Sequence, residues 1–166
     1  MEEYKTITDV DNYEISNLGN VRNKKTNRIL KPSFDKDGYK KVCLCVNKKV
    51  RTVKIHRLVS NAFVENNDNK KCVDHIDGDI LNNNAINLRR ATNQENSRNQ
   101  KISKNKTSGV KGVSFIKQQQ KWQASITIDC ITIHLGTFDN IEDAKQARIN
   151  KANEVFGVYI NACEKN

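Results

Sequence analysis

The chain has no long apolar run, few aromatic residues and no paired-cysteine motif. Of its 166 residues only 36% are hydrophobic and 6% aromatic. No stretch approaches the roughly 18 to 20 apolar residues that a membrane-spanning helix needs. The opening residues, Met1-Glu2-Glu3-Tyr4, lack the basic-then-apolar order of a secretory leader. The expectation is a soluble, intracellular protein with no membrane partner. Its five cysteines are odd in number and none lies in a C-x-x-C pair. An intracellular chain keeps such thiols reduced, so a disulfide framework is not expected. The scarcity of aromatics removes the stacking platform that readers of single strands use, so RNA fits the charge alone.

What the chain does have is positive charge. Lys and Arg number 29 against 19 Asp and Glu, a formal net +10. A polyanionic partner follows, and nucleic acid ranks ahead of a membrane surface because no long amphipathic basic helix is visible. The excess is uneven. Residues 1–71 carry 16 basic and 9 acidic side chains, residues 72–99 carry 3 and 4, and residues 100–166 carry 10 and 6, for nets of +7, −1 and +4. Two basic flanks suited to phosphate enclose a centre suited to a cation. The length allows one ordinary domain or two to three small modules, each marginally stable alone. The 23 Asn, and 21 Lys against 8 Arg, fit an A/T-rich coding genome such as that of a phage, virus or mobile element.

Periodicity organises these segments. Val42, Leu44 and Val46 alternate with Cys43 and Cys45, Asn47-Lys48 offers a turn, and Val53 and Ile55 follow, which predicts a hairpin. Leu58, Val59, Ala62 and Phe63 recur at helical spacing and predict a short helix packed on it. Upstream, Tyr13 to Asn17 and Gly19 to Arg22 read as short strands, with a basic stretch from Arg22 to Lys31 that includes Lys24 and Lys25. Residues 72–99 read as a short hairpin and a helix, started near Asn93 by the capping box Thr92-x-x-Glu95. Residues 100–107 read as a linker whose Lys101, Lys104 and Lys106 could track a phosphate backbone. In the last segment, 108–166, Trp122, Ala124, Ile126 and Ile128 alternate with polar residues, as do Ile131, Ile133 and Leu135. With Val110 and Val113 in a preceding strand, three strands bury one face under a helix capped by Asn140 and stopped by Gly157. The other face is polar and open to a ligand.

The centre carries the chemistry. Phosphodiester hydrolysis needs an activated water, a cation beside the departing 3′ oxygen and a frame that aligns them. His75 is the candidate general base, being neutral near neutral pH. Asp74 and Asn96 offer oxygen ligands, which favour one Mg²⁺ or Mn²⁺ over Zn²⁺. Asn93, Asn99 and Gln100 share nearly the same helical face as Asn96 and are alternatives to it. Asn87, on the returning strand, is placed to hold the hairpin and orient His75.

These residues, Val73-Asp74-His75-Ile76-Asp77-Gly78, Asn87-Leu88-Arg89 and Asn96, resemble the HNH nuclease motif in the variant whose final His is Asn. With Tyr13-Glu14-Ile15-Ser16-Asn17, Gly38-Tyr39, His56-Arg57-Leu58-Val59 and Ala91-Thr92, residues 4–99 resemble the phage group I intron homing endonucleases of that class. The resemblance implies a ββα-metal centre at 72–99, with Asp74 and Asn96 on one divalent ion, His75 as base and Asn87 in support. It also implies a nuclease-associated DNA-binding module at 1–71. Ser108-Gly109-Val110-Lys111-Gly112-Val113, Lys121-Trp122 and Leu135-Gly136-Thr137-Phe138 resemble a second family, the APETALA and ethylene-response-factor DNA-binding domain, which lays a three-stranded sheet in the major groove. Lys111, Gln123, Ser125, Thr127 and His134 are the candidate contacts. Ser114, Ser125 and Thr127 stand where plant members carry charged residues, and His134 where an aromatic is common, so a different sequence preference is implied.

The expected fold class is α+β, a small modular protein with an HNH centre and a C-terminal antiparallel three-stranded sheet on one helix. The expected activity is site-specific DNA cleavage, nicking duplex DNA as a monomer without a small-molecule cofactor, in the host cytoplasm or nucleus if the gene is viral. A DNA-binding regulator that keeps the scaffold without cutting is the alternative. Blander roles are assigned elsewhere: Cys72 as a reduced thiol rather than a zinc half-site with His75, Cys43 and Cys45 as packing residues, His56 as a cap or packing residue, and Trp122 as core. Arg89 and Arg90 could clamp phosphate.

Overall fold

The computed structural model describes residues 1–99 and 108–157. The chain is mixed α/β, with small antiparallel sheets and, among the described residues, three helices. None of these is long and apolar enough to cross a membrane. It divides into two compact units, Met1–Asn96 and Ser97–Asn166.

In the first unit, β1 (Tyr4–Ile7), β2 (Val10–Ser16) and β3 (Val21–Asn23) form one sheet, and β4 (Ser33–Phe34), β5 (Lys40–Val46) and β6 (Lys49–Lys54) a second. Asn47 and Lys48 close the β5–β6 hairpin, both at positive φ (49° and 61°), the turn geometry whose twist matches that of the strands. Val42 and Leu44 face inward, and α1 (Ile55–Phe63) lays Ile55, Leu58 and Val59 over them. Cys43 and Cys45 take the opposite face of β5 and are exposed, so they are surface thiols, not the packing residues expected. Strand parity settles this: the face given to Val42 and Leu44 is denied to their neighbours.

β7 (Cys72–His75) pairs antiparallel with β8 (Leu88–Ala91), and α2 (Asn93–Asn99) follows. The capping box forms at Thr92: its N–H donates to Glu95 Oε2 at 2.7 Å, and Glu95 N–H donates to Thr92 Oγ1 at 3.2 Å. Leu88 joins Ile15, Val21, Leu44 and Val59 in one apolar cluster, so the core runs across residue 71 without a break. The physical reason is size, since a ββα piece of this length buries too little apolar surface alone.

In the second unit, β9 (Val113–Ile116), β10 (Lys121–Ile128) and β11 (Ile131–Phe138) form a sheet in the order β11-β10-β9, packed on α3 (Ile141–Phe156). Asn140 Oδ1 accepts from Asp143 N–H at 2.8 Å to start α3, and Gly157, at φ +50°, ends it. Val110 precedes β9 instead of lying within it. The apolar face is not fully covered: Ile131 is 68% exposed and Ile133 39%. Periodicity assigned them a side but could not say how far the helix reaches.

Candidate active site

Asp74 and His75 end β7, and both side chains are buried. Register places Arg89 of β8 directly opposite Asp74. Its Nε donates to Asp74 Oδ2 at 2.8 Å, and its Nη2 lies 2.6 Å from the same oxygen as an ion pair. A carboxylate this deep needs such a partner, because an uncompensated buried charge is strongly destabilising. Arg89 thus serves Asp74. Arg90 reaches α1, donating from Nη2 to the Ser60 carbonyl at 3.0 Å and Asn61 Oδ1 at 2.9 Å.

His75 Nε2 lies 3.3 Å from Asn83 Oδ1. Asn83 Nδ2 donates to the Leu81 carbonyl at 3.2 Å, which turns its oxygen toward the imidazole. A carbonyl-type oxygen only accepts, so this contact is a hydrogen bond where the ring is protonated at Nε2. Burial pushes the His75 pKa below its ordinary value, against the Asn83 bond and the charges of Asp77, Asp74 and Asp79, which work upward. The ring is therefore neutral, as a general base requires.

Asn87 lies in a 3-10 turn, Ala85–Asn87, just before β8 and not on the strand. It accepts from Asp77 N–H at 3.1 Å and donates from Nδ2 to Asp77 Oδ1 and the Asn82 carbonyl, each at 2.9 Å. Burial works to raise the Asp77 carboxyl, but hydrogen bonds from Asp79 N–H, Asn82 and Asn87 outweigh it and hold it below its usual range. Asn87 thus stitches the loop between β7 and β8. The side chain bonded to His75 Nε2 is Asn83, which sequence reading left inside an Asn-rich turn. Its signal was the unbroken run Asn82-Asn83-Asn84, where one of three amides is buried.

Asn96 occupies the first turns of α2, half-buried, its N–H bonded to the Thr92 carbonyl. Asp74 and Asn96 together offer a carboxylate and an amide oxygen, the donor chemistry of a hard divalent ion. Among the described residues no three His, Cys, Asp or Glu side chains gather into a metal cage. Cys72 Sγ donates to Asn93 Oδ1 at 2.7 Å, which fits a reduced thiol.

His56 takes the packing role expected of it. The second residue of α1, it is 6% exposed and its ring centroid is 5.3 Å from that of His75, nearly perpendicular at 75°. Tyr39 closes the group, 4.9 Å from His56 and 6.2 Å from His75.

The candidate DNA contacts are dispersed. Arg22 is paired with Glu14 at 2.6 Å and stacked on Tyr4, and Lys24 Nζ donates to Thr6 Oγ1 at 3.2 Å. Lys25 is exposed. Lys101, Lys104 and Lys106 lie outside the described residues. In the second unit, Lys111 Nζ donates to the Arg98 carbonyl at 2.6 Å. Register puts Gln123, Ser125, Thr127, Thr132, His134 and Thr137 on one sheet face, where Gln123 Nε2 meets His134 Nδ1 at 3.1 Å and Thr127 meets Thr132 at 3.0 Å. Ser125 is half-buried beside the Gly112 carbonyl.

Comparison with known proteins places these observations. Residues 2–45 match the NUMOD4 motif, and residues 53–98 match the HNH endonuclease family. The match to the HNH endonuclease family begins within β6 and takes in α1. An uncharacterized HNH endonuclease of Acanthamoeba polyphaga mimivirus is 40% identical over 111 residues, covering 67% of this chain and 32% of that protein. The DNA endonuclease I-HmuI of Bacillus phage SP01 is 38% identical over 99 residues, 59% of this chain and 57% of the phage enzyme. A solved structure on DNA binding and cleavage by the HNH homing endonuclease I-HmuI is similar with a TM-score of 0.56 and 29% identity, covering 93% of this chain and 83% of that one. The chain spans about a third of the length of the mimivirus relative and just over half that of the phage relative.

Proposed function

We propose that the protein is a metal-dependent, site-specific DNA endonuclease of the HNH homing type, which nicks duplex DNA as a monomer inside an infected or invaded cell. Its C-terminal unit, in this reading, is an ethylene-response-factor-like sheet that adds DNA contacts. One observation carries the proposal: a buried, neutral imidazole, tied at Nε2 and beside a buried aspartate, within the segment that matches the HNH endonuclease family.

The chemistry follows from that arrangement. His75 takes a proton from a water molecule, whose oxygen attacks phosphorus in line with the 3′ oxygen. The bond to that oxygen breaks, leaving a 5′ phosphate and a 3′ oxygen that acquires a proton from solvent. Asp74 and Asn96 would hold one Mg²⁺ or Mn²⁺, which supplies positive charge to the phosphate and the departing oxygen. Arg89 keeps the Asp74 carboxylate in place, and Asn87 keeps the loop that carries Asn83. One such centre cuts one strand.

The test uses full-length protein, Mg²⁺ and supercoiled plasmid. Nicking is expected, chelation should stop it, and His75→Ala should lose about 10²-fold or more in turnover, the usual contribution of a positioned base, while still retarding duplex DNA. Unchanged nicking by His75→Ala would sink the role given to that residue. Binding without cleavage across Mg²⁺ and Mn²⁺ would favour a regulator instead.

A further inference from the structure

We propose that Gln123 reads an adenine in the major groove of duplex DNA, and that His134 is the positioning residue that turns the Gln123 amide for this purpose. The inference rests on the reading of the C-terminal unit as a DNA-contacting sheet and deepens it, adding the base, the side chain that selects it and the device that holds that side chain.

Three observations converge. First, an irregularity in the sheet brings the two side chains together. Gln123 stands opposite Ser114 on β9 and opposite Thr137 on β11. A bulge between Ala124 and Ser125 leaves Leu135 unmatched, so His134 pairs with Ser125 and shares the face of Gln123. Strict alternation from Thr137 would have sent His134 to the other face. Re-aiming a side chain is a common use of a bulge, and Gly136 beside it, at φ +137°, takes a conformation that residues with a Cβ rarely adopt. Second, the contacts have a direction. Gln123 Nε2 lies 3.1 Å from His134 Nδ1, and Thr137 Oγ1 lies 3.5 Å from His134 Nε2. An amide N–H only donates, so the first contact is a hydrogen bond where Nδ1 holds a lone pair. A neutral ring of that form carries its N–H at Nε2, toward the Thr137 hydroxyl. Turning the amide over would set Oε1 against the Nδ1 lone pair, so the ring selects one of two orientations. Third, what remains of the amide matches one base. With one N–H given to the ring, Gln123 keeps an N–H and Oε1, the donor and acceptor that pair with N7 and the N6 amino group of adenine. Ser114 and Thr137 on either side are small, which leaves a base edge room to approach. Residues 97–166 carry 11 basic against 6 acidic side chains, the charge that complements a duplex.

The experiment presents the full-length protein, without divalent ion so that nothing is cut, to a pool of randomised duplexes and sequences the retained fraction. Wild type should show a position where adenine is favoured by about 5- to 150-fold, the worth of one bidentate pair. Gln123→Ala should erase the preference at that position and leave the others. Gln123→Glu keeps the size but only accepts, so it should move the preference there from adenine toward cytosine. His134→Ala releases the amide and should lower the adenine preference about fivefold or more, with no change at other positions. His134→Asn, whose Oδ1 replaces Nδ1 as acceptor, should keep most of it. An adenine preference untouched in Gln123→Ala would overturn the proposal. So would equal weakening of all sequences in His134→Ala, the mark of a merely structural role, or a His134→Asn as relaxed as His134→Ala. A wild type that retains no duplex would sink the DNA-contact reading as well, whereas retention with preferences set elsewhere would sink this proposal alone.

Discussion

Two of the three histidines are buried in the first unit, and burial makes stability depend on pH. His56 is pushed down to about 3, chiefly by desolvation and then by the charges of His75, Arg57 and Lys54. In the unfolded chain it titrates near 6.5. Between these values the unfolded state binds a proton that the folded state refuses, so stability falls as pH drops from about 6.5 toward 3. His75 is shifted the same way and adds to the slope. Asp35, lowered to about 2 by its hydrogen bond with Lys54, contributes only below the ordinary carboxylate range, where its stabilisation is lost as pH falls. The expected loss at pH 5 from His56 is on the order of 1–2 kcal/mol. Urea midpoints from pH 7 to 5 should fall in wild type and fall less in His56→Phe. Equal slopes would rule out His56 as a source. Arg89 yields a second prediction at this scale. Arg89→Leu removes the guanidinium paired with the buried Asp74 carboxylate and should cost on the order of 3 kcal/mol. Melting with and without Mg²⁺ should then show a larger cation-induced rise than in wild type, because the ion no longer shares the carboxylate with a guanidinium.

At the scale of elements, local chemistry was legible and tertiary encounters were not. The β5–β6 hairpin, the α1 stripe, the Thr92–Glu95 box and the Asn140 and Gly157 caps are all written within a few residues of where they act. The meeting of His56 and His75, or of Asn83 with that ring, joins positions 19 and 8 residues apart through turns whose geometry no periodicity encodes. The β10–β11 register is the intermediate case. A bulge between Ala124 and Ser125 leaves Leu135 unmatched, so His134 and Thr137, three apart, share the polar face, and Ile133 and Phe138, five apart, share the apolar one. Strict alternation would have put each of these pairs on opposite faces. Gly112 shows how tightly this unit is joined. It sits at φ +70°, its carbonyl accepts from Ser125 N–H at 2.8 Å, and an added methyl would run into the Ser125 carbonyl and the Arg148 side chain. Gly112→Ala should therefore cost about 1–3 kcal/mol from backbone strain alone, measured by denaturant unfolding, and a neutral result would mean the turn can rearrange.

For the whole molecule, the charge divides evenly when it is counted over the two compact units. Residues 1–96 carry 18 basic and 13 acidic side chains and residues 97–166 carry 11 and 6, so each unit holds +5. In the first unit much of the basic charge is already answered: Arg22 by Glu14, Lys54 by Asp35, Lys70 by Glu95 and Arg89 by Asp74. The contribution to phosphate binding should then come from cations outside those pairs, such as the exposed Lys25. The polar sheet face of the second unit offers uncharged groups, which suit base edges better than phosphates. The two kinds of contact separate in salt. Each phosphate contact adds about −0.9 to the slope of log K against log salt concentration. Replacing Lys24 and Lys25 by Ala should flatten that slope by about one to two units and weaken all sequences alike. Replacing Gln123, Thr127 and His134 by Ala should leave the slope unchanged and reduce preference among sequences, each lost base contact being worth about 1–3 kcal/mol. Filter binding of full-length variants on a cleaved-site duplex and a scrambled one, across salt, reads both effects together. A flattened slope in the sheet variant, or lost sequence preference in the lysine variant, would reverse the assignment of the two surfaces.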